Sequence, residues 1–506
     1  MQRKRKSATE TLRILRGDFE RGKEGKMKLT RMMMGGLFMS KRGLYAIITI
    51  GTLAVIWFTP VPAGLKLQAW HLFAIFLATV VGFILSPVPN GVVTLSALVF
   101  AVFTNTLKLK EALTAFSSST VWLVVAAFIF AIGLQKTGLG RRIAFLFTRA
   151  FGGSTLTLAY SLAATNLVLG PAIPSSSARA GGVLFPIVMS LCETFDSYPG
   201  PSAKRLGSFL ISSVFHVDIV VCAMFLTSMA ANPLSAELAK QALGITISWG
   251  TWAVAAIVPG IIGLIATPYV FYKVLCPPEL RKTPEAKKMA ADELIKMGPM
   301  NRKEKIMLGV FLGALTLWAT GEITKFDGTQ VALLGICVML LCDVISWKDV
   351  TKEDKAWDIL IWMGSVVMLA DFLNKSGFIK WFATGVSAAL IGTNWIVALL
   401  IACLVYFYSH YAFASMTAHI TAMYAALIAV AAATGAPPFL AAYTIAICAN
   451  LCGCLTHFGT GPAAIYFGAG FVDQATWWRN GFIMSLVHIV IWLGIGSIWW
   501  KILGLW

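Results

Sequence analysis

The sequence predicts an all-α polytopic membrane protein, with about eleven transmembrane helices and two re-entrant hairpins in an inverted repeat. Two observations carry this reading. Hydrophobic residues make up 58% of the chain and charged residues 13%, whereas soluble domains carry about a quarter charged. Landmarks also recur at a fixed offset. Ser175 and Ser415 stand 240 positions apart, as do Trp122 and Trp362, and Lys136-Thr137-Gly138 returns as Lys375-Ser376-Gly377 at 239. Repetition of this kind in a membrane chain points to a site between the two halves.

The formal charge of +18 does not signal nucleic acid, because it collects at the ends of apolar segments. Residues 1–43 carry thirteen Lys or Arg against four acids, and Leu280 to Lys305 carries eight more bases. Basic loops stay in the cytoplasm, so both segments are expected there, with the bilayer as partner. The nine cysteines lie in or beside apolar runs without zinc-ribbon spacing, and no disulfide framework is read. Cys452-Gly453-Cys454 reads as small-residue helix packing. The basic start is not read as a signal peptide: the first apolar run, near Leu44, is long enough to span and lacks a small-residue cleavage site.

In chain order, Leu44 to Val61 is a first span, followed by His71 to Ile84 and Val92 to Phe103, separated by Pro-containing turns. Phe116-Ser117-Ser118-Ser119-Thr120 leads into Val121 to Leu134, which ends at Gly138-Leu139-Gly140-Arg141-Arg142. Two apolar arms, Leu156 to Gly170 and Ala178 to Glu193, then flank a Pro-Ser-Ser-Ser tip, and they read as a hairpin entering from the cytoplasm. Polar, non-helical backbone at membrane depth is tolerated only inside protein or beside a wet cavity, so the tip should line a site. A span from Gly207, containing His216 and Asp218, breaks at Thr227 to Pro233. Trp252 to Leu275 returns to a charged linker, Pro277 to Lys305. The second half repeats the plan: spans Ile306 to Trp318, Val331 to Ile345 and Ile359 to Leu373, then hairpin arms Trp395 to Ser409 and Ala418 to Ala433. A broken span, Pro438 to Leu455, is interrupted at Thr456 to Pro462. The last span, Gly481 to Trp499, ends in Trp499, Trp500 and Trp506, which suit an interface belt.

Half-helices that stop inside a membrane direct unsatisfied N–H groups and partial positive charge at their ends, where anions bind. Hydroxyls at Ser175, Ser176, Ser177, Ser415 and Thr417 add hydrogen-bond donors, and two facing tips suit a molecule with two separated carboxylates. Each motif alone reads equally well as a helix cap; their recurrence at one offset favours a site. A mid-membrane Arg179 needs a partner, either a bound carboxylate or Asp218. His419 reads as a second donor or as a packing histidine. His216 with Asp218 reads as a proton relay, Asp218 as the counter-ion of Arg179. His71, His410, His457 and His488 are too scattered for a metal site, and only His457 is read as a site neighbour. Lys136, Arg141 and Arg142 read as topology anchors. No cofactor or metal is expected.

Three segments carry a resemblance. Pro-Ser-Ser-Ser-Ala-Arg-Ala-Gly-Gly-Val-Leu-Phe-Pro, His-Tyr-Ala-Phe-Ala-Ser-Met-Thr-Ala-His and Thr-His-Phe-Gly-Thr-Gly-Pro-Ala-Ala-Ile-Tyr-Phe-Gly resemble the divalent anion/sodium symporter family. Within it, the chain is most similar to the branch of 2-oxoglutarate/malate translocators and bacterial dicarboxylate exchangers, from about Pro60 to Trp506. The resemblance implies a homodimer whose protomers pair a scaffold domain with a transport domain moving as an elevator. It also implies that two Ser-Asn-Thr signatures hold substrate carboxylates. Their positions here are Ser175, Ser176 and Ser177, then Ser415, Met416 and Thr417, with both asparagines absent. Cation-site loops fall around Thr227 to Asn232 and Thr456 to Pro462, including Thr460. Without the asparagine carbonyls a hard cation loses ligands, and Arg179 and His419 are expected to supply fixed charge in place of bound sodium.

The resulting expectation is a secondary transporter exchanging C4 or C5 dicarboxylates such as 2-oxoglutarate, malate, succinate and fumarate. Two alternatives stand beside it: a sodium-coupled symporter for di- or tricarboxylates, and a membrane-embedded hydrolase using Ser175 or Ser177, which would need a nearby base. The tail has two serines and four acids, unlike a plastid transit peptide. A bacterial inner membrane is expected, with the N-terminus cytoplasmic and the C-terminus outside; a plastid envelope is the alternative.

Overall fold

The computed structural model describes residues 40–389 and 392–506. The tail expected over residues 1–43 falls outside that range up to residue 39. Helices dominate, and the one isolated β-bridge among the described residues joins Ser154 to Lys282. Nine helices there are long and apolar enough to cross a membrane. Two of the nine, Trp395–Ala412 and Met416–Ala433, are the arms of the second hairpin, and Asn90–Phe103, Gly328–Leu341 and Pro438–Cys454 are shorter apolar helices. The chain is thus a polytopic membrane protein whose crossings are of unequal length.

Local chemistry sets the helix ends. Ser40 Oγ accepts the Gly43 N–H and starts Lys41–Phe58, and Ser118 Oγ accepts the Val121 N–H at the start of Ser119–Thr137. Gly138, at φ 75°, closes that second helix in the left-handed conformation and turns the chain at once into Leu139–Phe151. This amphipathic helix was not foreseen, since Arg141 and Arg142 read as the end of a span. Phe378–Ala389 is its counterpart, displaced by the same 239 positions that relate the Lys-X-Gly landmarks.

Both hairpins form. The first runs Thr155–Leu169, a tight turn Gly170–Ala172, a π-helical stretch Ser177–Leu184, then Phe185–Thr194. The second runs Trp395–Ser409, His410–Ala412, Met416–His419, a π-helical stretch Ile420–Tyr424, then Ala425–Ala433. In both, π-helical geometry follows the tip, a feature that recurs at functional sites. Both broken spans form as well: Gly207–Met224 with Ala231–Leu243, and Pro438–Leu451 with Gly461–Gly468. Gly207–Met224 is buried inside the protein, which explains why its apolar residues form no single stripe.

The linker is folded. Pro284–Met297 packs along Leu139–Phe151, and Arg142 grips Glu304 through Nε to Oε1 at 2.6 Å and Nη2 to Oε2 at 3.0 Å. Arg142 and Glu304 are both buried, so the basic residue read as an anchor holds the start of the second half against the first.

The terminal tryptophans correct an expectation. Trp500 is fully buried, its indole N–H donating to Ala255 O at 2.9 Å, and its ring meets Tyr443 edge-on. Trp499 donates to Val254 O and Trp506 to Ser497 O. Trp500 belongs to the core rather than to an interface belt, because its one polar atom is satisfied by a neighbouring helix instead of by water.

Candidate functional site

The first tip places hydroxyls forward and its cation behind. Ser175, Ser176 and Ser177 are half-buried, while Arg179 is 0% exposed. Ser175 Oγ accepts the Ala178 N–H and so starts the second arm.

Every guanidinium N–H of Arg179 is taken by protein. Nη1 donates to the carbonyls of Ile173 and Ser228, both at 2.7 Å. Nη2 donates to Asp218 Oδ1 at 2.8 Å and to Cys222 Sγ at 3.1 Å, and Nε to Asn166 Oδ1 at 2.8 Å. Asn166 Nδ2 donates in turn to Asp218 Oδ1. Arg179 and Asp218 therefore form a closed ion pair with no N–H left for a bound anion. The charge is not left uncompensated, as a reading of Arg179 as bare fixed charge would require. His216, two residues from Asp218, faces elsewhere, its Nδ1 bonded to Ser212 O. Among the described hydrogen bonds none joins His216 to Asp218.

The loop breaking the first span cradles this tip. Thr227 Oγ1 donates to Pro171 O at 2.6 Å, and the Ala230 N–H donates to Pro174 O. Asn232 Nδ2 donates to the carbonyls of Cys222 and Phe225, which the broken helix leaves free.

The second tip is built alike but filled differently. Ser415 Oγ accepts the Ala418 N–H; Ser415 and Thr417 are half-buried, Met416 is buried, and His419 is 0% exposed. His419 is stacked between Tyr406 and Phe413, with ring centroids at 4.0 and 4.3 Å. Its Nε2 lies 2.9 Å from Ser409 Oγ and its Nδ1 3.1 Å from His410 Nδ1. His410, set aside on spacing, is thus a direct neighbour of the tip. His457 instead accepts the Trp478 indole N–H at 2.9 Å.

The break in the second span is where the tips converge. A methyl group at Gly461 would collide with Ser177 Oγ, and one at Gly453 would meet Thr460 Cγ2 at 2.6 Å and Met416 Cε at 3.2 Å. Thr460 Oγ1 caps Gly461–Gly468, whose first turn holds Pro462, and Thr456 is buried. Asn450 and Tyr466 escaped sequence reading. Asn450 Nδ2 donates to Asn232 Oδ1, and Tyr466 OH donates to Ala180 O.

Two clefts differ in charge. One of about 520 Å³ reaches Ser177 and is lined by Gln135, Arg141, Gly182, Lys355 and Ile465, so its charged residues are both basic. The other, of about 260 Å³, includes Glu237, Glu322 and Asp327 with Lys240, a poor lining for an anion. The ring nitrogens of His419 face Ser409 and His410, and among the described hydrogen bonds none joins it to Ser175 or Ser177.

Comparison with known proteins finds relatives along most of the chain. A family profile described as the sodium:sulfate symporter transmembrane region matches residues 40–506. A Bacillus subtilis protein named, provisionally, malate transporter YflS is 50% identical over 461 residues, 91% of this chain and 96% of its own. Arabidopsis thaliana dicarboxylate transporter 1, chloroplastic, is 46% identical, covering 90% of this chain and 83% of its own. The Escherichia coli citrate/succinate antiporter is 36% identical over 474 residues, 90% and 96% of the two chains. Among solved structures, the YdaH transporter of Alcanivorax borkumensis matches with TM-score 0.56 at 12% identity, over 92% of this chain and 98% of that one. That last likeness bears on the fold alone.

Proposed function

We infer function from the premise that this chain belongs to the sodium:sulfate symporter family, and propose that it exchanges C4 and C5 dicarboxylates across a membrane. The relatives named for malate, dicarboxylate and citrate/succinate support the substrate class, and the antiporter supports exchange. Malate and 2-oxoglutarate head the proposed substrates, ahead of succinate and fumarate.

The observation that carries the reading is the division at each tip between accessible hydroxyls and a buried basic residue. Ser175, Ser176 and Ser177 would hold one carboxylate, and Ser415, Thr417 and the Met416 backbone the other. Arg179 supports the first tip from behind. Its Nη1 fills the space between the Ile173 and Ser228 carbonyls, ligands that suit a hard cation. A guanidinium fixed there makes the tip independent of sodium. Bare half-helix ends in a low-dielectric interior are unfavourable, so the loaded carrier crosses and the empty one does not; obligatory exchange follows.

In this reading the protein works as a homodimer by an elevator motion in a bacterial inner membrane, N-terminus inside and C-terminus outside. The test is uptake of labelled 2-oxoglutarate into proteoliposomes, empty or loaded with malate, with and without a sodium gradient. Uptake confined to loaded vesicles and indifferent to sodium is expected. Sodium-driven uptake into empty vesicles would replace exchange with symport.

A further inference from the structure

We propose that the pocket behind the second tip is a binding site for a borderline-soft transition-metal cation, with zinc as the fitting case, held by His410, His419 and Cys452. One ligand atom from each of the three residues falls within 4.8 Å of the others, and all three side chains are buried. Separation in sequence hid the set: two residues flank the tip and the third ends Pro438–Leu451.

The hydrogen bonds give the site its chemistry. His410 Nε2 lies 3.2 Å from Gly459 O, and His419 Nε2 lies 2.9 Å from Ser409 Oγ. A carbonyl oxygen can only accept, so His410 carries its proton on Nε2 and turns a bare Nδ1 inward. The 3.1 Å contact between His410 Nδ1 and His419 Nδ1 is an N–H···N bond while no ion is bound. When His419 shifts its proton to Nε2 and donates to Ser409, whose own hydroxyl proton goes to Tyr406 O at 2.8 Å, both Nδ1 atoms are free to ligate. Two nitrogens bound to one tetrahedral zinc stand roughly 3.3 Å apart, given Zn–N bonds of about 2.05 Å. Metal-bound histidines characteristically donate their outer N–H to a carbonyl or hydroxyl oxygen, which is the arrangement that this proton shift completes.

The donor set selects the ion. Two imidazoles and a thiolate suit zinc or a similar ion, and they offer little to sodium or magnesium, which take oxygen ligands. The first repeat fills the equivalent place with Arg179, whose charge Asp218 meets, so the second differs in offering ligands in place of a covalent cation. A bound ion would tie the tip of the second hairpin to its broken span.

The test uses the full-length protein in detergent, with the more exposed Cys276, Cys337 and Cys342 replaced by alanine. Cobalt(II) alone is titrated as the spectroscopic probe, then displaced by zinc. One equivalent per protomer, with tetrahedral d–d bands and a thiolate-to-cobalt charge-transfer band, is the expected result. The charge-transfer band should vanish in Cys452→Ser while the protein still melts cooperatively. Ser409→Ala should weaken zinc on the order of 10–100-fold, as outer partners do elsewhere. Octahedral cobalt spectra, no saturable binding, or a thiolate band that survives Cys452→Ser would each overturn the proposal. The wild-type spectrum decides the ligand class even if a variant fails to fold, and it is independent of any transport assay.

Discussion

Asn450 Nδ2 donates to Asn232 Oδ1 at 2.7 Å, joining two residues 218 positions apart at the breaks of the two interrupted spans. Both side chains are buried, and Asn232 also satisfies two carbonyls freed by its own break. Replacing Asn450 with alanine leaves a buried acceptor unpaired, at a cost of about 1–3 kcal/mol. A lowered melting temperature in detergent is expected; an unchanged one would show that the two breaks are not coupled through this bond.

Removing one member of the Arg179–Asp218 pair strands the other in the core, for about 3–5 kcal/mol. Asp218→Asn and Arg179→Gln should each abolish exchange. The double variant should be less destabilised than the sum of the singles, in a thermal double-mutant cycle. Arg179→Ala with native exchange would remove the support assigned to this residue.

Gly461 tests the convergence of the tips. A methyl group there collides with Ser177 Oγ, so Gly461→Ala should raise the half-saturating 2-oxoglutarate concentration in counterflow. Gly309→Ala has free space in the structure and should leave counterflow at the wild-type level.

Acid sensitivity should appear outside the spans. The Lys136 amine, 2.6 Å from Asp349 Oδ2, together with Ser346, holds the Asp349 carboxyl below the ordinary carboxylate range. A depressed folded-state value stabilises above the ordinary carboxylate range, and that contribution is lost as pH falls through the folded value. Melting temperature should thus not vary with pH through this pair near neutrality, where its contribution is fully present, and Asp349→Asn should reduce the loss of stability seen on strong acidification.

What the sequence made legible was set by spacing along one helix or one turn. The Pro-Ser-Ser-Ser tip, its echo at Ser415, and the breaks near Thr227 and Thr456 all announce themselves through proline, glycine and hydroxyl residues in apolar surroundings. Asn166, Cys222, His410 and Asn450 did not, because their roles come from neighbours on other helices. In a helix buried on every side, such as Gly207–Met224, no periodicity reveals which face meets which partner. Leu139–Phe151 escaped for a related reason: its two arginines match the signature of a loop, and only the fold shows Arg142 buried on Glu304.

The grip of Arg142 on Glu304 also bears on ancestry. It works alongside Asn450 on Asn232 and Tyr466 on Ala180, so the chain before residue 277 and the chain after 283 meet through buried side chains as well as through the peptide that joins them. The peptide junction supplies proximity, and the fit resides in the surfaces. If the two halves began as separate polypeptides, these faces are what would have joined them, and co-expression of residues 1–283 with 284–506 is expected to restore an assembled carrier.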